Sequence, residues 1–306
     1  MKLEFTKMHG LGNDFVFVDG FSQEASLSAA QVASLCDRHR GIGADGVIVV
    51  RPSERPECAG YMHYVNADGT LAQMCGNGVR CFAKYLVDRG FVQAGDGCLV
   101  ADTLAGPKPI RFEVGEDGLM TSATVNMGRP TLDPHAVPVD APANAVGPDG
   151  RAYLREQPIE SPWGTFSFTC VSMGNPHAVC FVDDWATVAN SLFDDPSDKR
   201  LATFDINRIG AFYESHPLFP EKTNVEFACV GPDGIAMRVY ERGCGETPAC
   251  GTGACAVGVA ALLTNRRGRE NDVLLPGGTL HIVWEKDGRV TMTGPAVEVF
   301  EGAIDL

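Results

Sequence analysis

The feature that most constrains this chain is a short, glycine-framed cysteine turn that occurs twice. Met-Cys-Gly-Asn-Gly spans 74–78, and Ala-Cys-Gly-Thr-Gly spans 249–253. Each turn follows a strand-like run and opens a helix-like run, which predicts that Cys75 and Cys250 lie at helix N-termini. Unpaired backbone N–H groups and the positive end of the helix dipole favour a thiolate there. We therefore expect both cysteines to have a pKa below the usual value of about 8.5.

The two turns belong to an internal repeat. Because Cys75 and Cys250 are 175 positions apart, adding 175 maps Met62 onto Met237, and the match runs without a gap through strand, turn and helix start. A repeat of this length is too long for a solenoid. It indicates a duplicated α/β domain whose two copies face each other, so that a cysteine approaches a shared cleft from each side.

Composition indicates where one copy ends. Residues 128–162 shift towards proline, alanine and glycine, which is typical of a connection, and they include a predicted surface loop around 147–150. We predict an N-terminal half at 1–126, joined by the C-terminal strand 294–306, and a C-terminal half at 127–293. Hydrophobic periodicity predicts an α/β (α+β) chain with helices at 28–38, 76–86, 204–213 and 251–260. The predicted strands lie at 3–7, 15–19, 47–50, 61–65, 97–104, 108–126, 163–173, 178–182, 224–230, 235–240, 279–284, 289–293 and 296–300. Within 97–126 the short strands are joined at Gly106-Pro107 and at Asp117-Gly118.

Charge and cysteine content exclude several classes of partner. The 306 residues carry a net charge of −14, spread along the chain, which argues against nucleic acid and anionic membrane surfaces. No apolar run approaches the roughly 18 residues of a membrane span, and the N-terminus has no export signal. The eleven cysteines are then expected to be reduced thiols, and the protein is expected to be cytoplasmic.

Two thiols on opposite sides of a substrate can invert a stereocentre next to a carboxylate. One removes a proton from one face as a thiolate, and the other returns a proton to the opposite face as a thiol. An amino-acid α-proton is a very weak acid, so backbone N–H groups at the two helix N-termini would have to bind the carboxylate and its growing charge. The expected donors are Gly76, Asn77, Gly251 and Thr252.

No cofactor is expected. Pyridoxal phosphate would need a Schiff-base lysine and a phosphate cup, and no lysine lies in an evident setting of that kind. A Walker A sequence and a Rossmann glycine fingerprint are also absent from the sequence. A zinc site or a thiol redox centre is the alternative from another class. The spacings of Cys75 to Cys81 and of Cys250 to Cys255 fit neither a paired zinc ligand set nor a Cys-x-x-Cys motif.

Asparagines mark several of the other turns. Each alone is typical of a turn, but five that border one cleft suit a substrate bearing amines and carboxylates, because an amide both donates and accepts. Arg242 is a candidate for a bidentate carboxylate contact or for a surface ion pair. His177 either tunes a nearby thiol or caps its own turn. The five asparagines are Asn13, Asn66, Asn77, Asn175 and Asn224.

Segments along nearly the whole chain resemble the diaminopimelate epimerase family. They are HGLGNDF at 9–15, RGIGAD at 40–45, NADG at 66–69, MCGNGVR at 74–80, GNPH at 174–177, HPLFP at 216–220, NVEF at 224–227, ERG at 241–243 and TPACGTGA at 247–254. The resemblance implies two pseudo-symmetric domains, each a barrel-like mixed sheet around a central helix, with the active site in the cleft between them. It also implies a homodimer that converts LL-2,6-diaminopimelate to the meso form without a cofactor, in the synthesis of lysine and peptidoglycan precursors.

The resemblance also implies roles for individual residues. Cys75 and Cys250 would be the proton acceptor and donor, and His177 with Glu241 would modulate the pKa values of the cysteines. The implied substrate contacts are Asn13, Asn66, Gly76, Asn77, Asn175, Asn224, Glu241, Arg242, Gly251 and Thr252.

Two positions depart from the family pattern. Gly46 stands where many members have a glutamine that touches substrate, so that contact is not expected here, and Cys244 stands where alanine is common. The rival within the same fold is another two-cysteine racemase of proline or histidine type. Proline racemases resemble Met-Cys-Gly-His-Gly at the first turn, so Asn77 argues against that alternative.

Overall fold

The structure of the protein is a computed structural model that describes residues 2–23, 25–72, 74–147 and 150–306. The chain divides into two compact units. Unit 1 consists of residues 1–126 and 293–306, and unit 2 consists of residues 127–292. In the part of the chain that the structure describes, no helix has both the length and the apolar character needed to cross a membrane.

Strands account for most of the secondary structure. In chain order the elements are β1 (Lys2–Gly10), β2 (Asn13–Asp19), α1 (Ala29–Cys36), β3 (Gly46–Arg51), β4 (Gly60–Asn66), α2 (Gly76–Asp88), β5 (Cys98–Thr103), β6 (Lys108–Val114), β7 (Met120–Gly128), β8 (Ala145–Val146), β9 (Ala152–Tyr153), β10 (Gln157–Ser161), β11 (Gly164–Ser172), β12 (Pro176–Phe181), α3 (Ile206–Glu214), β13 (Asn224–Gly231), β14 (Gly234–Glu241), β15 (Gly245–Thr247), α4 (Gly251–Leu263), β16 (Glu270–Leu275), β17 (Gly278–Trp284), β18 (Val290–Gly294) and β19 (Val297–Asp305).

Unit 1 is a mixed sheet that surrounds α2. Its strands pair in the order β19–β1–β2–β3–β4–β5–β6–β7, with parallel pairing at β2–β3 and β4–β5 and antiparallel pairing elsewhere. Helix α2 contacts β1 to β5 and also β19. The helix is therefore buried on all sides, and it places even Arg80 at 0% exposure. That guanidinium is satisfied by the carbonyls of Gly76 and Pro295 and by the Asn77 side chain.

Unit 2 repeats this pairing. Its strands run β10–β11–β12–β13–β14–β16–β17, with parallel pairing at β12–β13 and β14–β16, which is the order seen in unit 1 from β19 to β6. Helix α4 contacts β11 to β14, β16 and β17. Its sequence, GTGACAVGVAALL, is apolar on every face, as expected of a helix enclosed by a sheet.

The two central helices confirm the repeat found in the sequence. Helices α2 and α4 have 13 residues each, and both begin directly after their cysteines. The predicted mixed α+β class, with two similar strand layers each around a central helix, is confirmed.

Several local predictions were incomplete. No strand was predicted at β16, because its first three residues, Glu270–Asp272, are polar, and β10 and β15 were also missed. The predicted division of 108–126 at Asp117-Gly118 is confirmed, because β6 and β7 are separate strands and Gly118 turns the chain between them with a positive φ of 77°. In the predicted loop at 147–150, Pro148 and Asp149 lie outside the described residues, and the flanking segments pair as the hairpin β8–β9.

Candidate active site

Cys75 is the N-cap residue of α2, and an asparagine lies beside it. Its extended backbone places the thiol over the first turn, where the sulfur accepts a hydrogen bond from Gly78 N at 3.5 Å. The thiol also lies 3.4 Å from Asn13 Oδ1, at the start of β2. The Asn77 side-chain amide donates to the same Oδ1 at 3.1 Å. Three residues predicted from sequence for this site are thus in contact in unit 1.

The orientation of the Asn13 amide is set by Asp45, at the end of the Gly-Ala-Asp turn before β3. Asn13 Nδ2 donates to Asp45 Oδ2 at 2.6 Å, and Asp14 N donates to the same oxygen at 3.0 Å. Arg38 in turn holds the other Asp45 oxygen at 2.8 Å. Because a carboxylate only accepts, Nδ2 must point to Asp45 and Oδ1 must point to Cys75. Asp45 was not predicted as a site residue.

Asn66 and Gly46 are register partners on the paired strands β4 and β3, and Gly46 follows Asp45 directly. The Asn66 amide donates to Thr70 Oγ1 at 3.1 Å, within its own turn. A side chain at Gly46 would have its Cβ only 2.6 Å from Tyr64 Cε2 and 2.6 Å from the Val65 carbonyl oxygen. The ring of Tyr64 therefore occupies the space that the Cβ of a glutamine at this position would need. This explains the departure from the family pattern.

Cys250 is the N-cap residue of α4, but its surroundings differ from those of Cys75. It is 4% exposed, and its sulfur lies 3.5 Å from Thr252 Oγ1. Burial raises the pKa of the thiol well above its usual value, and the Glu241 and Glu226 carboxylates raise it further. The Gly253 N–H at the helix start lowers that pKa, but by less. The prediction that a helix N-terminus makes both cysteines more acidic is therefore wrong for Cys250, because desolvation and two carboxylates outweigh the helix.

The turn between β14 and β15 is tied to the start of β13. Asn224 is 3% exposed, and its amide donates to the Pro176 carbonyl at 2.7 Å while its Oδ1 accepts from Arg242 N at 2.9 Å. Glu241 accepts a short hydrogen bond from Thr247 Oγ1. The Arg242 side chain is exposed and donates to the Glu221 carbonyl at 3.0 Å, so its guanidinium is held near the turn without an ion pair among the described contacts.

His177 and Glu226 form a completely buried pair on the neighbouring strands β12 and β13. His177 Nδ1 lies 2.6 Å from Glu226 Oε1, and His177 Nε2 lies 3.1 Å from Asn175 Oδ1. Both side chains are 0% exposed. Burial raises the pKa of Glu226, and His177 opposes this. His177 thus pairs with a carboxylate and does not only cap its own turn.

Glu226 was missed as a site residue, although the sequence contains a signal for it. A carboxylate in the middle of the otherwise apolar run at 224–230 needs a buried partner. For metal binding, no group of three or more His, Cys, Asp or Glu side chains within 2–23, 25–72, 74–147 and 150–306 is arranged to hold an ion.

Comparison with known proteins shows the family and the fold of the chain. The sequence model of the family described as diaminopimelate epimerase matches residues 5–132 and 169–299. A diaminopimelate epimerase of Leptospira biflexa is 42% identical and covers 100% of both chains. One of Desulfitobacterium hafniense is 44% identical and covers 99% of this chain and 98% of its own.

Solved structures show the same fold at much lower identity. A PhzF-family phenazine biosynthesis protein of Bacillus anthracis aligns with a TM-score of 0.66 at 16% identity and covers 100% of both chains. A hydroxyproline epimerase of Agrobacterium vitis aligns with a TM-score of 0.64 at 15% identity and covers 99% of this chain and 91% of its own. These similarities concern the fold alone. The family model and the full-length relatives go further, and with the two cysteine turns in place the chain belongs to the diaminopimelate epimerase family.

Proposed function

We propose that this protein converts LL-2,6-diaminopimelate to meso-2,6-diaminopimelate, without a cofactor, by moving a proton between two cysteine thiols and one α-carbon. The activity would serve the synthesis of lysine and of peptidoglycan precursors. The observation that carries the proposal is the placement of Cys75 and Cys250 directly before the two central helices. The chain is also 42% and 44% identical to two diaminopimelate epimerases over 100% and 99% of its length.

The two cysteines have different resting roles in this proposal. Cys250 is the thiol that donates, because burial and two carboxylates keep its proton in place. Cys75 is the base that removes the α-proton in the same direction of reaction, because the Gly78 N–H at the helix start donates to its sulfur and favours the thiolate. The roles reverse when the meso compound is the substrate, since each enzyme step must also run backwards.

The remaining predicted residues would bind the substrate. We propose that backbone N–H groups of Gly76, Asn77, Gly251 and Thr252 hold the carboxylate next to the reacting carbon, because a helix N-terminus is an anion site. Arg242 would hold a carboxylate of the substrate by exchanging its contact with the Glu221 carbonyl. The asparagines proposed to contact its amines and carboxylates are Asn13, Asn66, Asn77, Asn175 and Asn224.

Turnover on three substrates tests the function. Purified protein is incubated in D₂O with LL-diaminopimelate, L-proline or L-histidine, and incorporation of deuterium at the α-carbon is followed by NMR. We expect incorporation and isomer formation with diaminopimelate only. A racemase of proline or histidine type would instead label its own amino acid, and absence of turnover on diaminopimelate would end the proposal.

Serine variants test the mechanism. Cys75→Ser and Cys250→Ser should each lose at least about 100-fold in kcat, because a serine hydroxyl is a far weaker base than a thiolate. Cys98→Ser is the matched control, since Cys98 is exposed, begins β5 and belongs to neither cysteine turn. A thiol redox or metal-binding protein would instead show bound metal or a reversible disulfide, and it would not epimerise.

Proposals for location and assembly come from the sequence and from the family resemblance. We propose a cytoplasmic homodimer that binds neither nucleic acid nor membranes, and we propose that units 1 and 2 are its two domains. Light scattering of the purified protein measures the assembly directly, with a mass near twice 32.7 kDa expected.

A further inference from the structure

The His177–Glu226 contact must contain a proton. A ring nitrogen and a carboxylate oxygen 2.6 Å apart would repel each other if neither carried hydrogen. The other ring nitrogen faces Asn175 Oδ1 and donates to it. The proton between Nδ1 and Oε1 therefore has two places: on the histidine, which leaves an imidazolium and a carboxylate, or on Glu226, which leaves both side chains neutral.

Glu226 Oε1 is also the atom of this pair that approaches Cys250. A Cβ at Gly253, in the first turn of α4, would lie 2.9 Å from Glu226 Oε1 and 3.3 Å from Cys250 Sγ. Only a glycine leaves room for the carboxyl group and the thiol to lie against the same point of the helix. Glu226 is 0% exposed and Cys250 is 4% exposed, so solvent screens the charge on Oε1 only weakly from the thiol.

The second oxygen of Glu226 distinguishes this pair from an ordinary ion pair. Oε2 is buried and has no hydrogen-bond partner among the residues that the structure describes. A permanently charged carboxylate would normally have both oxygens satisfied in such a place. If the carboxyl group is neutral for part of the reaction cycle, the missing hydrogen-bond partner of Oε2 costs less free energy.

We propose that Glu226 is a positioning residue that shares one proton with His177, and that this proton moves between Nδ1 and Oε1 as Cys250 loses and regains its own. When Cys250 is a thiol, the proton lies on His177. When Cys250 has given its proton to the substrate carbon, the shared proton moves to Oε1, so that the new thiolate lies beside a neutral carboxyl group. The N–H bond of His177 breaks, an O–H bond of Glu226 forms, and no proton enters or leaves the pair.

The inference rests on the proposed function for its catalytic consequence, but the coupling itself is independent of substrate. The groups that face Cys250 are Glu226 on β13, Glu241 on β14, and Thr252 and the Gly253 N–H on α4. Among the described residues of unit 2, Glu226 is the only one of these groups that is hydrogen-bonded to a histidine, and it can take a proton from that histidine.

The test uses Glu226→Gln, which keeps the shape but removes the shared proton. The titration of Cys250 is followed by NMR of protein labelled with ¹³C at cysteine Cβ, and the signal is assigned by its loss in Cys250→Ser. Without a carboxylate beside it, Cys250 should ionise at a lower pH in the variant than in the wild type. In the same variant kcat should fall about 100-fold while KM stays within about twofold.

Controls separate a positioning role from a structural one. Glu226→Asp keeps the carboxyl group and should restore part of kcat. Asp102→Asn removes another buried carboxylate, one that pairs with Ser53 and Arg55, and should leave both kcat and the Cys250 titration unchanged. Melting curves measure how much of each variant is folded, and kcat is normalised to that fraction.

The outcomes are distinguishable. If Cys250 titrates identically in wild type and Glu226→Gln, including no titration in either up to pH 11, the inference is overturned even when the wild type epimerises diaminopimelate. If the titration shifts but no diaminopimelate is turned over, the proposed function fails and the coupling of Glu226 to Cys250 stands. A fall in stability with unchanged titration and unchanged kcat per folded molecule would reduce Glu226 to a structural role.

Discussion

At the scale of single residues, the two cysteines occupy equivalent positions in unequal surroundings. Cys75 lies beside the Asn13 amide, which neither adds nor removes charge. Cys250 is almost fully buried and lies near two carboxylates, Glu226 and Glu241, which raise its pKa. Such a difference suits the proposed roles of base and acid, because a good proton acceptor and a good proton donor at one pH need different environments.

Asp45 is expected to control Cys75 through Asn13. Asp45→Ala removes the acceptor of Asn13 Nδ2, so the amide is free to rotate and Oδ1 is no longer held at the thiol. We expect kcat/KM for diaminopimelate to fall about 10- to 100-fold, which is typical when a contacting group is misplaced by about 1 Å. Steady-state kinetics measure the loss.

The matched control is Asp287→Ala, because Asp287 is a partly exposed aspartate that pairs with an arginine, Arg289, as Asp45 pairs with Arg38. It should retain wild-type kcat/KM. Equal activity in Asp45→Ala and wild type would show that the orientation of Asn13 does not depend on Asp45.

At the scale of elements, each cysteine depends on the start of a helix that is enclosed by its own sheet. Helix α4 uses small residues to approach the strands around it. A Cβ at Gly258 would lie 2.9 Å from Ile282 Cγ2, and a Cβ at Gly253 would lie 2.9 Å from Glu226 Oε1. Gly253 in the cysteine turn thus allows the buried carboxyl group to reach the thiol, whereas Gly258 allows the helix to pack against β17.

These two glycines of α4 make a direct comparison. Gly253→Ala and Gly258→Ala place a methyl group equally close to a neighbour, and both should lower the free energy of unfolding by about 1–3 kcal/mol. Only Gly253→Ala displaces Glu226 and Cys250, so only this variant should lose activity, by about 10-fold or more per folded molecule. Urea unfolding and kcat are measured for both.

If Gly258→Ala lost as much activity per folded molecule as Gly253→Ala, the loss would result from altered packing of α4 as a whole. The close approach of Glu226 to the thiol would then not be its cause. Equal stability of both variants and wild type would show that the strands move aside at no cost.

At the scale of the whole molecule, burial of thiols in both units makes stability depend on alkaline pH. Burial raises the pKa of Cys81, Cys170 and Cys180 from 9.0 to about 12. The unfolded chain releases these protons as pH rises above about 9, whereas the folded chain keeps them until about pH 12. The stabilisation is therefore complete below pH 9 and is lost between these two values.

We expect the free energy of unfolding to fall by about 1.4 kcal/mol for each of these thiols per pH unit above about 9. Urea unfolding under reducing conditions at pH 8 and pH 10 measures the difference. Cys170→Ala should reduce that difference by about 1 kcal/mol, although the variant is itself less stable. Cys98→Ala, at an exposed cysteine, should leave the difference as in the wild type. An unchanged difference in Cys170→Ala would contradict the assignment.

The sequence alone was sufficient for the features that depend on local pattern. The cysteine turns, the starts of the helices after them and the strands before them follow from hydrophobic periodicity and turn-forming glycines, and these act over a few residues. The two helices run two or three residues further than predicted. The register of 175 residues then made the equivalence of the two halves visible without coordinates. The strand β16 was missed because its polar first half hides the period of two.

Only the tertiary structure decided the chemistry around each thiol. Glu226 and His177 are 49 positions apart in the chain, and Asn13 and Asp45 are 32 apart, yet each pair is in hydrogen-bond contact because parallel strands bring them together. A helix N-terminus predicts a more acidic thiol when only the local backbone is considered. Desolvation depends on everything packed around the sulfur, and for Cys250 burial beside two carboxylates reverses that local effect.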